Sequence, residues 1–173
     1  MKVKDLENSE LQYFYGTYLN ALNEEEDLKS ALENGKKNFQ QLIKNLTKDQ
    51  LMYSYGEGKW TIAEVLVHLI DSERVFQYRA FRISRNDKTP LPGFEQDDYV
   101  LESYANQRTK EDILQEFLIV REASINFFSL LSNDVLKRTG TASGLPWSVA
   151  ALGLVISGHQ RHHFNIIKER YLV

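Results

Sequence analysis

Along this chain, apolar residues return mostly at three- and four-residue steps, the period of a helix that buries one face. Over 25–46 they are Leu28, Leu32, Phe39, Leu42, Ile43 and Leu46, which predicts a first long helix. A second begins after Gly58-Lys59-Trp60. There Thr61 and Glu64 have the spacing of a capping box, in which the hydroxyl takes the Glu64 amide and the carboxylate reaches back. This helix runs to about Ser84, and the two prolines in Asn86-Asp87-Lys88-Thr89-Pro90-Leu91-Pro92-Gly93 forbid its continuation. No strong periodicity follows until about Thr109. A third helix over 110–131 sets Ile113, Phe117, Val120 and Phe127 at core spacing, and a last one covers 148–171. Residues 48–52 and 132–136 read as short helical turns and 139–146 as a loop.

The predicted fold is therefore all-α, a four-helix bundle in a single domain, 1–173. The gap between helices two and three, roughly twenty residues or more, exceeds the usual 2–8 for antiparallel neighbours. A long crossover there permits these two helices to run parallel. The Tyr-rich segment 11–22 fits no clear type, and Tyr13, Tyr15 and Tyr18 read as packing residues. Trp60-Thr61-Ile62-Ala63 and Trp147-Ser148-Val149-Ala150 open two helices alike, which the common use of Ser and Thr as caps explains.

Composition narrows the function classes. With 42% hydrophobic and 26% charged residues the chain can build a core. A net charge of −3 disfavours binding to a phosphate backbone, so no nucleic-acid partner is expected. Cysteine is absent, which excludes disulfides, thiolate ligands, iron–sulfur clusters and a cysteine nucleophile. No apolar run approaches the roughly 20 residues of a membrane span. The charged start, Met1 to Glu7, lacks the apolar stretch of a signal peptide. A cytoplasmic protein without a membrane partner is expected. Asp97-Asp98 and Glu24-Glu25-Glu26-Asp27 read as solvated surface.

The four histidines are clustered: His68 on the second helix, and His159, His162 and His163 on the last. On a wheel of about 100° per residue, His159 and His163 fall near the centre of the stripe set by Leu152, Val155, Ile156 and Ile166. His162 falls on its flank. Two imidazoles inside an apolar stripe need a partner, which a metal or neighbouring side chains could supply. His68 sits at the border of its core face beside Glu64, Asp71, Ser72 and Arg79, as a ligand oriented by that polar edge or as an ordinary boundary residue. Neutral imidazoles on two helices suit zinc, nickel, iron or copper. Di-iron sites need Glu-x-x-His, and Val65, Ile156, His159 and Gln160 occupy those positions; His-Glu-x-x-His is absent too. A mononuclear three-histidine site passes these tests. No phosphate loop and no Gly-x-Ser-x-Gly elbow is present.

The segments Gly58-Lys59-Trp60-Thr61-Ile62-Ala63-Glu64-Val65-Leu66-Val67-His68-Leu69-Ile70-Asp71-Ser72-Glu73 and Gly158-His159-Gln160-Arg161-His162-His163-Phe164-Asn165-Ile166-Ile167-Lys168-Glu169-Arg170-Tyr171 resemble the two signatures of the DinB-like family, the DinB/YfiT-like metalloenzymes. The stretch from Arg82 to Phe94 is similar to one subgroup, and the resemblance spans about 27–171. It implies a four-helix bundle with one divalent transition metal, zinc or nickel, held by His68, His159 and His163. His162 matches no ligand position. The resemblance further implies a homodimer and a small-molecule substrate. The activity it implies is thiol-dependent S-transfer to a small electrophile, with a low-molecular-weight thiol as cosubstrate, which a chain without cysteine would have to borrow. A metal-dependent hydrolase, or a non-catalytic dimeric metal-binding stress protein, are the alternatives it carries.

Overall fold

The computed structural model describes residues 1–7 and 16–172. Tyr13 and Tyr15 lie outside them. Four long helices carry the fold: α2 (Leu28–Asn45), α4 (Ile62–Ser84), α6 (Lys110–Ser129) and α8 (Val149–Ile166). The short helix α1 (Gly16–Leu19) precedes them, and α3 (Lys48–Leu51), α5 (Gln96–Glu102) and α7 (Asn133–Leu136) lie between them. A π-type turn, Ile167–Tyr171, prolongs α8. Among the described residues, no helix is long and apolar enough to cross a membrane.

Side-chain caps start every long helix. Asp27 accepts from the Ser30 amide at 3.2 Å, and Ser148 from that of Ala151 at 3.0 Å. Thr61 accepts from the Glu64 amide at 3.2 Å, while its own amide donates to the Glu64 carboxylate at 2.7 Å. Thr109 and Asp112 repeat this box on α6. Each such cap contributes about 1 kcal/mol. Asp27, read from sequence as part of a solvated run, is thus a structural cap, whereas Asp97 and Asp98 are exposed as expected.

Helix α2 packs on α6 and α8, and α4 packs on the same two, so α2 and α4 lie diagonally. Local pairs give the directions. Thr61 meets Asn106 at 2.7 Å, just before α6, and Glu73 further along α4 meets Arg121 further along α6. Helices α4 and α6 are therefore parallel, as their long crossover permits. The start of α4 meets the end of α8, where the Tyr171 hydroxyl donates to the Trp60 carbonyl at 2.9 Å, so that pair is antiparallel.

Two segments differ from expectation. Residues 139–146, read as a loop, lie in a hairpin of β1 (Thr139–Ala142) and β2 (Leu145–Ser148), antiparallel with Thr139 opposite Ser148 and Ala142 opposite Leu145. Its two-residue turn, Ser143 at φ 52° and Gly144 at φ 74°, has the left-handed pair that matches strand twist. Gly140 lets β1 press on the end of α4: a Cβ there would stand 2.7 Å from Ile83. The crossover joins this hairpin, since the Leu91 amide donates to Thr141 O at 2.9 Å and the Ser143 amide to Leu91 O at 3.0 Å. The second difference is α5, a seven-residue helix whose single buried residue, Val100, leaves no periodicity to read.

Among the described residues the core has two apolar clusters. One gathers Leu28, Leu32, Phe76, Phe128 and Leu152 with the hairpin's Trp147; the other gathers Phe39, Ile70, Phe117, Phe164 and Ile167. Between them the buried positions turn polar on three helices: Ser72 and Glu73, Arg121 and Ser124, Ser157, His159 and Gln160. On α2 the same level is occupied by Gly35.

Candidate metal centre

Three of the four imidazoles meet in this polar layer. His68 comes from α4, and His159 and His163 from successive turns of α8, where a four-residue step stacks side chains on one face. The Nε2 atoms of His68 and His163 each lie 3.0 Å from His159 Nε2. One nitrogen from each ring falls within 4.8 Å of the others. His68 and His159 are buried and His163 is half-buried. His68 was expected at the border of the core face, but nearly every residue at the start of α4 is covered, and the border disappears with it.

Burial acts on all three rings. It pushes His68 down to about 4. It pushes His163 down to about 3, helped by His68 and His162. His159 is held well below its ordinary range by burial and then by the other three imidazoles. The rings are thus neutral near pH 7, the form that ligates metals.

Hydrogen bonding among neutral rings cannot satisfy this geometry well. Each Nε2 offers one in-plane lone pair or one hydrogen. If His159 Nε2 carries hydrogen, it serves only one of its two neighbours in line; if it carries a lone pair, two donors compete for it. A shared cation satisfies all three lone pairs. Zinc–nitrogen bonds of about 2.0–2.1 Å at tetrahedral angles separate ligand nitrogens by about 3.3 Å, close to the two 3.0 Å separations that His159 makes with His68 and His163. The donor set therefore fits one divalent metal.

Of the polar edge on α4, Ser72 alone reaches His68. Its hydroxyl lies 3.5 Å from His68 Nδ1, and accepting the Nδ1 proton there leaves Nε2 free as a lone pair. Glu64 caps its helix and accepts from Asn106 at 2.9 Å, Asp71 pairs with Arg74 at 3.3 Å, and Arg79 bonds the crossover. His162 stands aside from the three-ring cluster, half-buried, with Tyr18 at 5.2 Å between ring centroids and His163 at 5.3 Å.

Aromatic rings enclose the cluster. Trp60 lies 4.9 Å from His68, Tyr18 4.8 Å and Phe76 6.2 Å from His159. Tyr18 is buried and packs, as expected, but it packs on a candidate ligand. A cavity of about 210 Å³ opens in front of His159 between Tyr18, Ser72 and Phe76, and crossover residues Phe94, Glu95 and Gln96 form its outer side. Sequence reasoning gave no part to Trp60, Phe76 or the crossover residues, because aromatic residues at helical spacing look the same whether they pack a core or a site.

The family model described as the DinB superfamily matches residues 31–167. The chain belongs to the DinB superfamily. Among curated proteins it is similar to one named "Putative metal-dependent hydrolase OB0413" from Oceanobacillus iheyensis, 24% identical over 129 residues, 73% of each chain. Among solved structures it is similar to YfiT from Bacillus subtilis, described as "a probable metal-dependent hydrolase with an unusual four-helix bundle topology". That match has a TM-score of 0.69 at 18% identity, over 83% of this chain and 85% of YfiT. It is also similar to the mycothiol-dependent maleylpyruvate isomerase, with a TM-score of 0.65 at 11% identity, over 80% of this chain and 58% of that one. At these identities the structural likenesses establish the fold, a four-helix bundle with a small hairpin added.

Proposed function

We propose that this DinB-superfamily protein is a mononuclear metal-dependent hydrolase of small molecules, in which His68, His159 and His163 hold one divalent metal. The observation that carries the reading is the convergence of three neutral Nε2 atoms beside a cavity. When bound, a divalent metal with three imidazole ligands supplies a water of lowered pKa as nucleophile near neutral pH. The chain's own groups do the rest. Ser72 holds the proton of His68 on Nδ1 and thereby orients that ring. Tyr18, Phe76 and Trp60 exclude bulk water from the rings. Glu95 contributes the one carboxylate among the described residues lining the cavity, the candidate acceptor for a proton released there. The name of the Oceanobacillus relative supports hydrolysis.

Thiol-dependent transfer is the second reading. The chain has no cysteine, so a thiol nucleophile would come from solution as a low-molecular-weight cosubstrate. Zinc- or nickel-loaded protein offered small esters and small halogenated electrophiles, each with and without added thiol, separates the two. Hydrolysis predicts metal-dependent turnover of esters without thiol. Turnover only of the halogenated acceptors, and only with thiol, would replace hydrolysis by transfer.

A further inference from the structure

Arg79 is 1% exposed, eleven residues beyond His68 on α4, and its position ties the crossover to the site. One guanidinium nitrogen, Nη2, donates to the Pro92 carbonyl at 2.8 Å and to the Ser143 hydroxyl at 2.8 Å. A single atom thus bridges the crossover and the tip of the hairpin. The guanidinium also lies 5.9 Å from the Phe76 ring centroid and 5.8 Å from that of Phe94. Both rings line the cavity in front of His159, Phe76 from α4 and Phe94 from the crossover.

We propose that Arg79 is a positioning residue that fixes Phe94 as the outer wall of this cavity, and so sets the size of ligand admitted to the fourth metal position. The size selection rests on the reading of the three histidines as metal ligands; the fixing of the crossover does not. A guanidinium suits the task because its plane stacks on rings while its edge donates to two acceptors at once. Lysine keeps donors but has no plane, so it restores part of the arrangement. The cavity admits small ligands and rejects bulky ones as long as Phe94 is held.

Two readouts test this. Hydrogen exchange of the crossover amides at 91–96 is compared in the wild type, Arg79→Met and Arg79→Lys. Loss of a buried charged donor predicts at least about tenfold faster exchange in Arg79→Met, a smaller change in Arg79→Lys, and little change along α2. In Co²⁺-loaded protein, binding of azide and of glutathione is read from the visible spectrum. The affinity ratio of glutathione to azide rises about tenfold in Phe94→Ala and in Arg79→Met, and less in Arg79→Lys, with azide binding nearly constant. Unchanged exchange in Arg79→Met, or an unchanged ratio in Phe94→Ala, overturns the proposal. Failure of the wild type to take Co²⁺ counts against the metal reading instead, and exchange then decides the role of Arg79. Should Arg79→Met not fold, Arg79→Lys and Phe94→Ala carry the same two readouts.

Discussion

Two sets of buried polar side chains share the middle layer of this bundle, and they are finished differently. Glu73 and Arg121 are charged, 2% and 1% exposed at their side chains, and complete. Arg121 donates to both Glu73 oxygens, at 2.8 Å through Nε and 2.8 Å through Nη2, and its Nη1 donates to Leu32 O at 3.1 Å. That pair ties α4, α6 and α2 together, and Gly35 leaves room for it, since a Cβ there would stand 2.4 Å from the Arg121 guanidinium. The three imidazoles are uncharged, and their bonds run to one another and to Ser72. A polar group that closes on its neighbours holds a fold. Neutral rings crowded nitrogen to nitrogen leave that pairing incomplete, and that difference separates the scaffold from the candidate site.

The contrast breaks first if the ion pair is dispensable. Glu73→Ala leaves Arg121 buried and uncompensated, and should cost about 3–5 kcal/mol in urea unfolding. Replacing both partners, Glu73→Leu with Arg121→Met, should restore most of that loss, because apolar side chains of similar volume carry no desolvation cost. Equal loss in the single and double variants would assign the pair a role beyond mutual compensation.

Acid should act on the imidazoles in the metal-free protein. The folded values of about 4 for His68 and about 3 for His163 lie below the roughly 6.5 of an unfolded chain. Between those limits the unfolded chain binds more protons, so stability falls as pH falls below about 6.5 and gains nothing from these rings above it. The loss amounts to at most about 1.4 kcal/mol per pH unit per ring. His68→Leu should flatten the profile by the share of one ring; an identical slope in this variant and the wild type would contradict the burial argument.

Two smaller effects are expected. Ser72→Ala should weaken metal binding about tenfold or more while leaving the fold intact, measured by competition with a chromogenic chelator. The Lys36–Glu122 pair at 2.6 Å joins a half-buried lysine to an exposed glutamate, and Lys36→Ala should change unfolding by no more than about 1 kcal/mol.

How far the sequence reached follows from the same physics. The long helices were legible because each has one apolar face and a Ser, Thr or Asp cap, as at Thr61 and Ser148. The histidine cluster was legible because a four-residue spacing fixes a shared face. The hairpin was not: its strands are four residues long, contain Gly140 and Pro146, and show no alternation, so Ser143-Gly144 was the one cue to a tight turn. Glu73, Arg79 and Arg121 were hidden for another reason. A charged residue looks like surface until its partner is known, and Arg121 stands 48 positions from Glu73. The outer wall of the cavity was equally hidden, because it comes from a crossover without periodicity.

Metal content decides whether the three histidines share an ion. Purified without chelators and analysed for elements, the wild type and His162→Ala should each carry about one divalent metal ion per chain, and His159→Ala less than about a tenth of that. Equal metal in His159→Ala and His162→Ala, or none in the wild type after incubation with zinc and nickel, would contradict the convergence of His68, His159 and His163 on one ion.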